Sequence, residues 1–512
     1  MRILVTLLVL AVVGVGGWQL LPQKQDDGRT ITVGTTDNIT SLDPAGAYDA
    51  GSWALFSNVF QSLLTYDTGG VSPVPDAAKE CAFSGGSLTT YQCELRSGLK
   101  FPSGREMTAE DVKYSFDRLM KIDSEVGPAS LFSTLKSVEA KGDKVTFQLS
   151  SADATFPFKV ATGAGAIVDS SRYPATELRA GDDVDGTGPY VLSSYSKGKS
   201  AVLKPNSRYK GAVQTGRSVE LRFYEDSADL DKAWQEREVE VATRQLPPKT
   251  LASLNTSDPS QRVTEADSAE TRNLYLNTRS ESPLHDVRVR QALAWLVDRE
   301  RLASSVYDNT VDPLYSLIPT GITGHTTSFF DNYPDQNPQK ARELLTEAGV
   351  DIPVRFTYGY GAGRGAAEAE AKELKRQLEA GGLFTVTVQG YEWTDFQKRW
   401  ATGKLDAYAV GWFPDYPDPD TFGAPLVGTD STMNTGYSSK RVDRLIQTSQ
   451  QYAERARVDD DFRKLQEAVA EDVPVIPLWQ RKEYVITSED VGGGQYLADG
   501  NGIFRLWKLT WI

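Results

Sequence analysis

Between Gly411 and Phe422 the sequence reads GWFPDYPDPDTF, with three aspartates, three prolines and four aromatic side chains in twelve residues. Proline lacks a backbone N–H and pushes the residue before it toward extended conformations, so this stretch is neither regular helix nor central strand. Three chemistries suit its carboxylates. Asp415, Asp418 and Asp420 could ligate calcium, but Pro417 and Pro419 hold their spacing stiff, and the glycine and closing glutamate of an EF-hand loop are absent. A solvated acidic turn is the second reading. The third is a binding loop. Asp415, close to Trp412, Phe413 and Tyr416, suits a cationic ligand group held by charge-assisted hydrogen bonds in a partly dry cleft, where aromatic walls also favour the cation.

Catalytic machinery is missing elsewhere. No G-x-S-x-G occurs, and the S-x-x-K matches, such as Ser133 to Lys136 and Ser194 to Lys197, lack the K-T-G and S-D-N that would accompany a serine nucleophile. There is no H-E-x-x-H, and His285 and His325 stand alone, the former reading as a residue at the start of a helix. Neither a GxxxxGK[ST] phosphate loop nor a dinucleotide fingerprint is present. No enzyme, cofactor or metal site is therefore expected. Cys81 and Cys93 flank a GGS turn between two strand-like runs, a geometry that suits a cross-hairpin disulfide in an oxidising compartment. Two cysteines and two distant histidines make a poor zinc set.

The elements that must position the loop alternate between strand and helix. TITVGTT from Thr30 alternates like a strand, SLDPAGAYD breaks it, and WALFSNVFQSLLTY has the spacing of a buried helix. From Val71 to Asp185 short hairpin-like strands flank one helix, beginning at MTAEDVKYSFDRLM, where Thr108 and Asp111 form a capping-box variant. Further strands follow at GTGPYVLSSY, SVELRFYED and LYLNTR. HDVRVRQALAWLVDRERLASSVY places Val289, Ala292, Leu293, Leu296 and Val297 on one helical face behind an Asp286 cap. NPQKARELLTEAG is punctuated as a helix by Asn337, Pro338 and Gly349, with strand IPVRFTY after it. In EWTDFQKRWATG, Trp393 and Trp400 lie seven apart and read as the packing face of a helix. The alternation, with no repeat of 20 to 50 residues, argues for α/β layers in two lobes.

The whole chain, 512 residues with 69 acidic and 55 basic side chains and a formal charge of −14, is long enough for several domains and too acidic for nucleic acid or anionic lipid. It opens with MRILVTLLVLAVVGVGGWQLL, uncharged from Ile3 to Leu21 and about 28 Å long as a helix. This is either a cleaved signal peptide or, with no clear cleavage site, a signal anchor; Arg2 would keep Met1 inside and the remainder outside.

Taken in order, several segments resemble the family 5 extracytoplasmic solute-binding proteins of ABC importers, the group of oligopeptide- and dipeptide-binding proteins. They are SLDPA, VFQSLLTYD, LRSGLKFPSGREMTAEDVKYSFDRL, GTGPYVL, LYLNTR, DVRVRQALAWLVDRERL, QKARELLTEAG, GWFPDYPDPDTF and DVPVIPLW. The resemblance implies an α/β, two-lobed periplasmic-binding-protein fold of class II, large peptide-binding type, with an extra subdomain in lobe I. It divides the chain into 1–29, signal peptide or anchor with a short linker; 30–70, 186–275 and 484–512, lobe Ia; 71–185, subdomain Ib; and 276–483, lobe II. It implies capture of oligopeptides or dipeptides between closing lobes, and delivery by a monomer, outside the cytoplasm, to permease subunits with cytoplasmic ATPases. Asp415 would receive the peptide's α-ammonium group and Arg364, in YGYGAGRGAAE, its carboxylate. Asp418 and Asp420 would serve as turn structure. Other solutes on the same fold are a nickel chelate, a glycoside, an opine or haem, and a surface signalling protein is the alternative outside transport. The sequence departs from single-membrane relatives in lacking a cysteine after the signal, so lipid anchoring is not implied, and the membrane would be met through the N-terminal segment itself.

Overall fold

The structure, a computed structural model, describes residues 28–211, 213, 216–498 and 503–512. The apolar N-terminal run lies outside the described residues. Among those described, no helix is long and apolar enough to cross a membrane.

Strand Ile31–Thr35 is buried at every residue because it lies inside a sheet, parallel to Val219–Phe223 on one side and to Val241–Thr243 on the other. Beyond Val219–Phe223 the sheet continues antiparallel through Ser200–Pro205 and Tyr190–Ser196. A second set has Val354–Gly361 between Phe384–Tyr391 and Ala407–Trp412, parallel to both. Two long strands join the sets into one 11-stranded sheet: Gln261–Leu276, of 16 residues, and Val475–Ser488, of 14. They pair antiparallel, and each reaches one set: Thr271 to Leu276 pair with Ala407–Trp412, and Val485 to Thr487 with Val241–Thr243. Their register shifts between Asp267 and Thr271, which locally re-aims the side chains there. Two lobes joined by two crossing strands result, the class II binding-protein fold.

A separate four-stranded antiparallel sheet orders Ala78–Phe83, Thr90–Leu95, Lys144–Leu149 and Leu135–Lys141. Helix Ala109–Ile122 packs on it through Phe116, edge-on to Phe132 at 5.1 Å and to Phe147 at 4.9 Å. Cys81 and Cys93 are directly opposed on neighbouring strands, 4.1 Å apart at Cα, and are bonded.

Local signals account for most helix ends. Asn337 accepts the Lys340 N–H at 2.9 Å, Pro338 takes the first turn, and Gly349 ends the helix at φ 67°. Asp286 accepts the Arg288 N–H at 2.8 Å. The run after it is not one helix, as its periodicity suggests, but two, Val287–Ala294 and Arg299–Ser305. Asp298 starts the second by accepting the Arg301 N–H at 2.9 Å, so a good cap outcompetes continuation of the first.

Candidate functional site

The GWFPDYPDPDTF loop leaves strand Ala407–Trp412 at its end and runs into helix Asp420–Val427. It borders a cavity of about 1790 Å³, open mouth included. Four of the five candidate ligand residues meet there: Asp415, Trp412, Phe413 and Arg364 all line it. Tyr416 does not. Its ring is 1% exposed and packs on Phe158 at 6.0 Å, within the core of the four-stranded subdomain, and its hydroxyl donates to Asp420 at 2.9 Å. Trp412, Phe413 and Tyr416 together were expected to wall the cleft; the packing on Phe158 and the bond to Asp420 instead hold Tyr416 away from the cavity.

Asp415 is 8% exposed and accepts the Tyr48 hydroxyl at 2.6 Å, a contact across 367 positions of chain. Thr421 holds the loop closed, accepting the Asp415 N–H at 3.0 Å. No Lys or Arg among the described residues pairs with the carboxylate, and burial pushes it up to about 7, against the opposing pull of the Tyr48 and Thr421 hydrogen bonds and the charge of Lys159. A buried carboxylate with this pKa is half ionised at neutral pH and poised to gain from an incoming cation.

The rest of the motif anchors it. Asp418 pairs with Arg455 through 2.7 and 2.8 Å contacts, and Asp420 takes hydrogen bonds from Tyr416, Thr155 and Gln450. The Ala154 N–H reaches the Gln450 carbonyl at 2.7 Å, so the same region is tied to the subdomain by backbone as well. These two aspartates are structural, but buried and partnered rather than at a solvated turn.

The Arg364 guanidinium carbon sits over the Trp393 ring, 4.1 Å from its centroid. Its guanidinium has no hydrogen-bond or ion-pair partner among the described residues, and burial lowers its pKa. Trp412 both packs and lines, its indole N–H donating to the Thr421 carbonyl at 2.9 Å. The Arg244 guanidinium sits 5.0 Å over Phe413 and pairs with Asp37 at 3.1 Å. Trp393 and Trp400, expected as a packing face, also line the cavity. Helix Trp393–Ala401 presents them, with Phe396 and Gln397, on one side, because positions three, four and seven apart share a helical face. That spacing shows which residues share a face but not whether core or cavity lies beyond it.

A two-lobed α/β protein with a deep aromatic cavity at its crossing strands, lined by unpaired charges of both signs, is built to bind a solute. Residues 72–434 match the model of the bacterial extracellular solute-binding proteins, family 5, and the chain belongs to that family. It is 25% identical over 477 residues to a probable D,D-dipeptide-binding periplasmic protein of Escherichia coli K12, covering 90% of each chain. Among solved structures it is similar to a DppA periplasmic binding protein of Helicobacter pylori in complex with the peptide STSA, at TM-score 0.84, 21% identity and coverage of 94% and 98%. A similar likeness, TM-score 0.85 at 19% identity over 94% and 99%, relates it to the binding protein AgaA of A. tumefaciens R10 in complex with agropinic acid. Membership in a family of binding proteins accords with the lack of catalytic motifs.

Proposed function

We propose that this protein is a receptor for short peptides with a free N-terminus, which it passes to an ABC importer. The observation that carries the reading is Asp415, a buried carboxylate without a cationic partner, at the wall of a cavity that also holds the unpaired guanidinium of Arg364. An α-ammonium group supplies what the first lacks and a terminal carboxylate what the second lacks, each as a charge-assisted hydrogen bond. The peptide-binding relatives support this choice of solute.

The lobes are assigned as residues 30–70, 186–275 and 484–512 for the first, 71–185 for its subdomain and 276–483 for the second. Tyr48 then belongs to one lobe and Asp415 to the other, and a ligand ammonium competes with the Tyr48 hydroxyl for the carboxylate as the lobes close. The liganded closed form, a monomer held outside the cytoplasm by its N-terminal segment or released from it, docks on permease subunits driven by cytoplasmic ATPases.

Thermal-shift measurement with di- to pentapeptides at millimolar concentration tests the solute class, since a ligand of the native state raises the melting temperature. A rise with peptides is expected. No movement with any peptide, together with a rise on adding an opine such as agropinic acid, would replace this reading with a second one, which the likeness to AgaA in complex with agropinic acid favours.

A further inference from the structure

The crossing strands direct a second group of charges into the cavity. Arg272 and Trp479 are directly paired, and Glu270 and Arg481, each two positions away along its own strand, line the same cavity. Most of these charges are matched: Arg481 lies 2.7 Å from Glu270, and Arg244 is shared between Asp37 at 3.1 Å and Glu483 at 3.6 Å.

Arg272 is different. Its Nε donates to Glu370 at 2.8 Å, but Glu370, fully buried, also accepts the Tyr307 hydroxyl at 2.8 Å and the Trp479 indole N–H at 2.7 Å. One carboxylate thus serves three donors. Nη1 of Arg272, on the cavity wall, has no acceptor among the described residues. Nη2 is buried beside the Tyr358 hydroxyl, which interacts with the guanidinium but meets it outside good hydrogen-bond geometry. A guanidinium carries five N–H donors, and leaving buried ones unmade is costly, so a site that holds it this way is completed by an outside acceptor.

We infer that Arg272 forms a subsite for a carboxylate on a ligand side chain, and that the receptor selects peptides carrying aspartate or glutamate. The inference rests on the peptide reading above. It follows from the free groups in the cavity: Asp415, a carboxylate with no cation beside it, and two guanidiniums with free donors, Arg364 and Arg272, while Asp49, the other wall carboxylate without an ion pair, is taken up by Thr40 and the Ser52 N–H. That set complements a ligand with one ammonium and two carboxylates. Glu370 holds the Arg272 fork in place, Trp479 is its cross-strand neighbour, and a planar fork favours a carboxylate over a carboxamide.

The test is calorimetric titration of the full chain with matched pairs of peptides, Ala-Glu against Ala-Gln and Glu-Ala against Gln-Ala. At least one acidic member is expected to bind about tenfold more tightly than its amide. Arg272→Met should reduce that ratio below about twofold. Because Arg272→Met strands the Glu370 charge, Arg272→Met/Glu370→Gln is measured beside it, with thermal melting to establish folding. Equal affinity for acid and amide in the unaltered protein, or a preference that survives in the folded double variant, overturns the inference and leaves the peptide reading standing. Failure of every peptide to bind overturns both.

Discussion

At the scale of single residues, Asp415 is a carboxylate whose burial is a cost until a ligand arrives. The sign is opposite to that of an ordinary ion-paired aspartate. With its folded pKa near 7, above the usual value of 3.8, Asp415 favours the folded state fully only below pH 4, and this contribution is lost as pH rises through 7. Asp415→Asn should therefore stabilise the empty protein at pH 8, by roughly 2–4 kcal/mol, and by much less at pH 4. Comparing urea unfolding of the two proteins at both pH values isolates this group from other shifted carboxylates, such as Asp76, also raised by burial, to about 6. Equal stability of the two proteins at pH 8 would show that the carboxylate is not strained by burial. Ligand binding runs the other way, because an ammonium selects ionised Asp415. Affinity should fall about fourfold from pH 8 to pH 6, the loss of ionised Asp415 being partly offset by fuller protonation of the peptide's α-amino group, with release of close to one proton per peptide at pH 6, read as a dependence of the binding enthalpy on the buffer's ionisation enthalpy. A flat pH profile with no proton release would contradict this assignment.

At the scale of elements, the loop is held by buried charge as well as by proline. Asp418 is nearly inaccessible and its partner Arg455 only slightly exposed. Arg455→Met leaves Asp418 without its cation and should lower stability by about 3–5 kcal/mol, while Asp418→Asn/Arg455→Met should recover much of the loss. Chemical unfolding checks both, and additive losses in the double variant would exclude a coupled pair. The disulfide is a second, independent device: replacing Cys81 and Cys93 by serine opens a loop 12 residues long in sequence and should cost about 3 kcal/mol in unfolding without altering peptide affinity. Much at this scale was legible beforehand. The Asn337, Pro338 and Gly349 punctuation and the Asp286 cap are local, so the sequence carries them in full. Tyr48 could not be read that way. It meets Asp415 only because the fold joins segments 367 positions apart, and nothing near Tyr48 marks it. Trp400 and Arg272 were hidden for a related reason, since periodicity gives a face but not what the face looks into. Tyr416 shows the converse, a side chain in the right motif drawn into the neighbouring core by Phe158 and Asp420.

At the scale of the whole molecule, two crossing strands carry both the connection between the lobes and part of the cavity wall, so binding and relative movement of the lobes share the same residues. The contacts made in this structure by Tyr48 with Asp415 and by Ala154 and Thr155 with Gln450 and Asp420 bridge segments far apart in the chain. A ligand that binds between the lobes shifts their equilibrium only by what it gains in the closed form, and the largest such gain proposed here is the ammonium on Asp415. Capture of the ammonium by Asp415 is decided by titrating one short peptide, with its N-terminus free and then acetylated, into the protein and into Asp415→Asn at pH 8. Acetylation or the substitution alone should weaken binding by about 2–5 kcal/mol, and the two together should cost little more than either. Equal affinity for the free and acetylated peptides would contradict it.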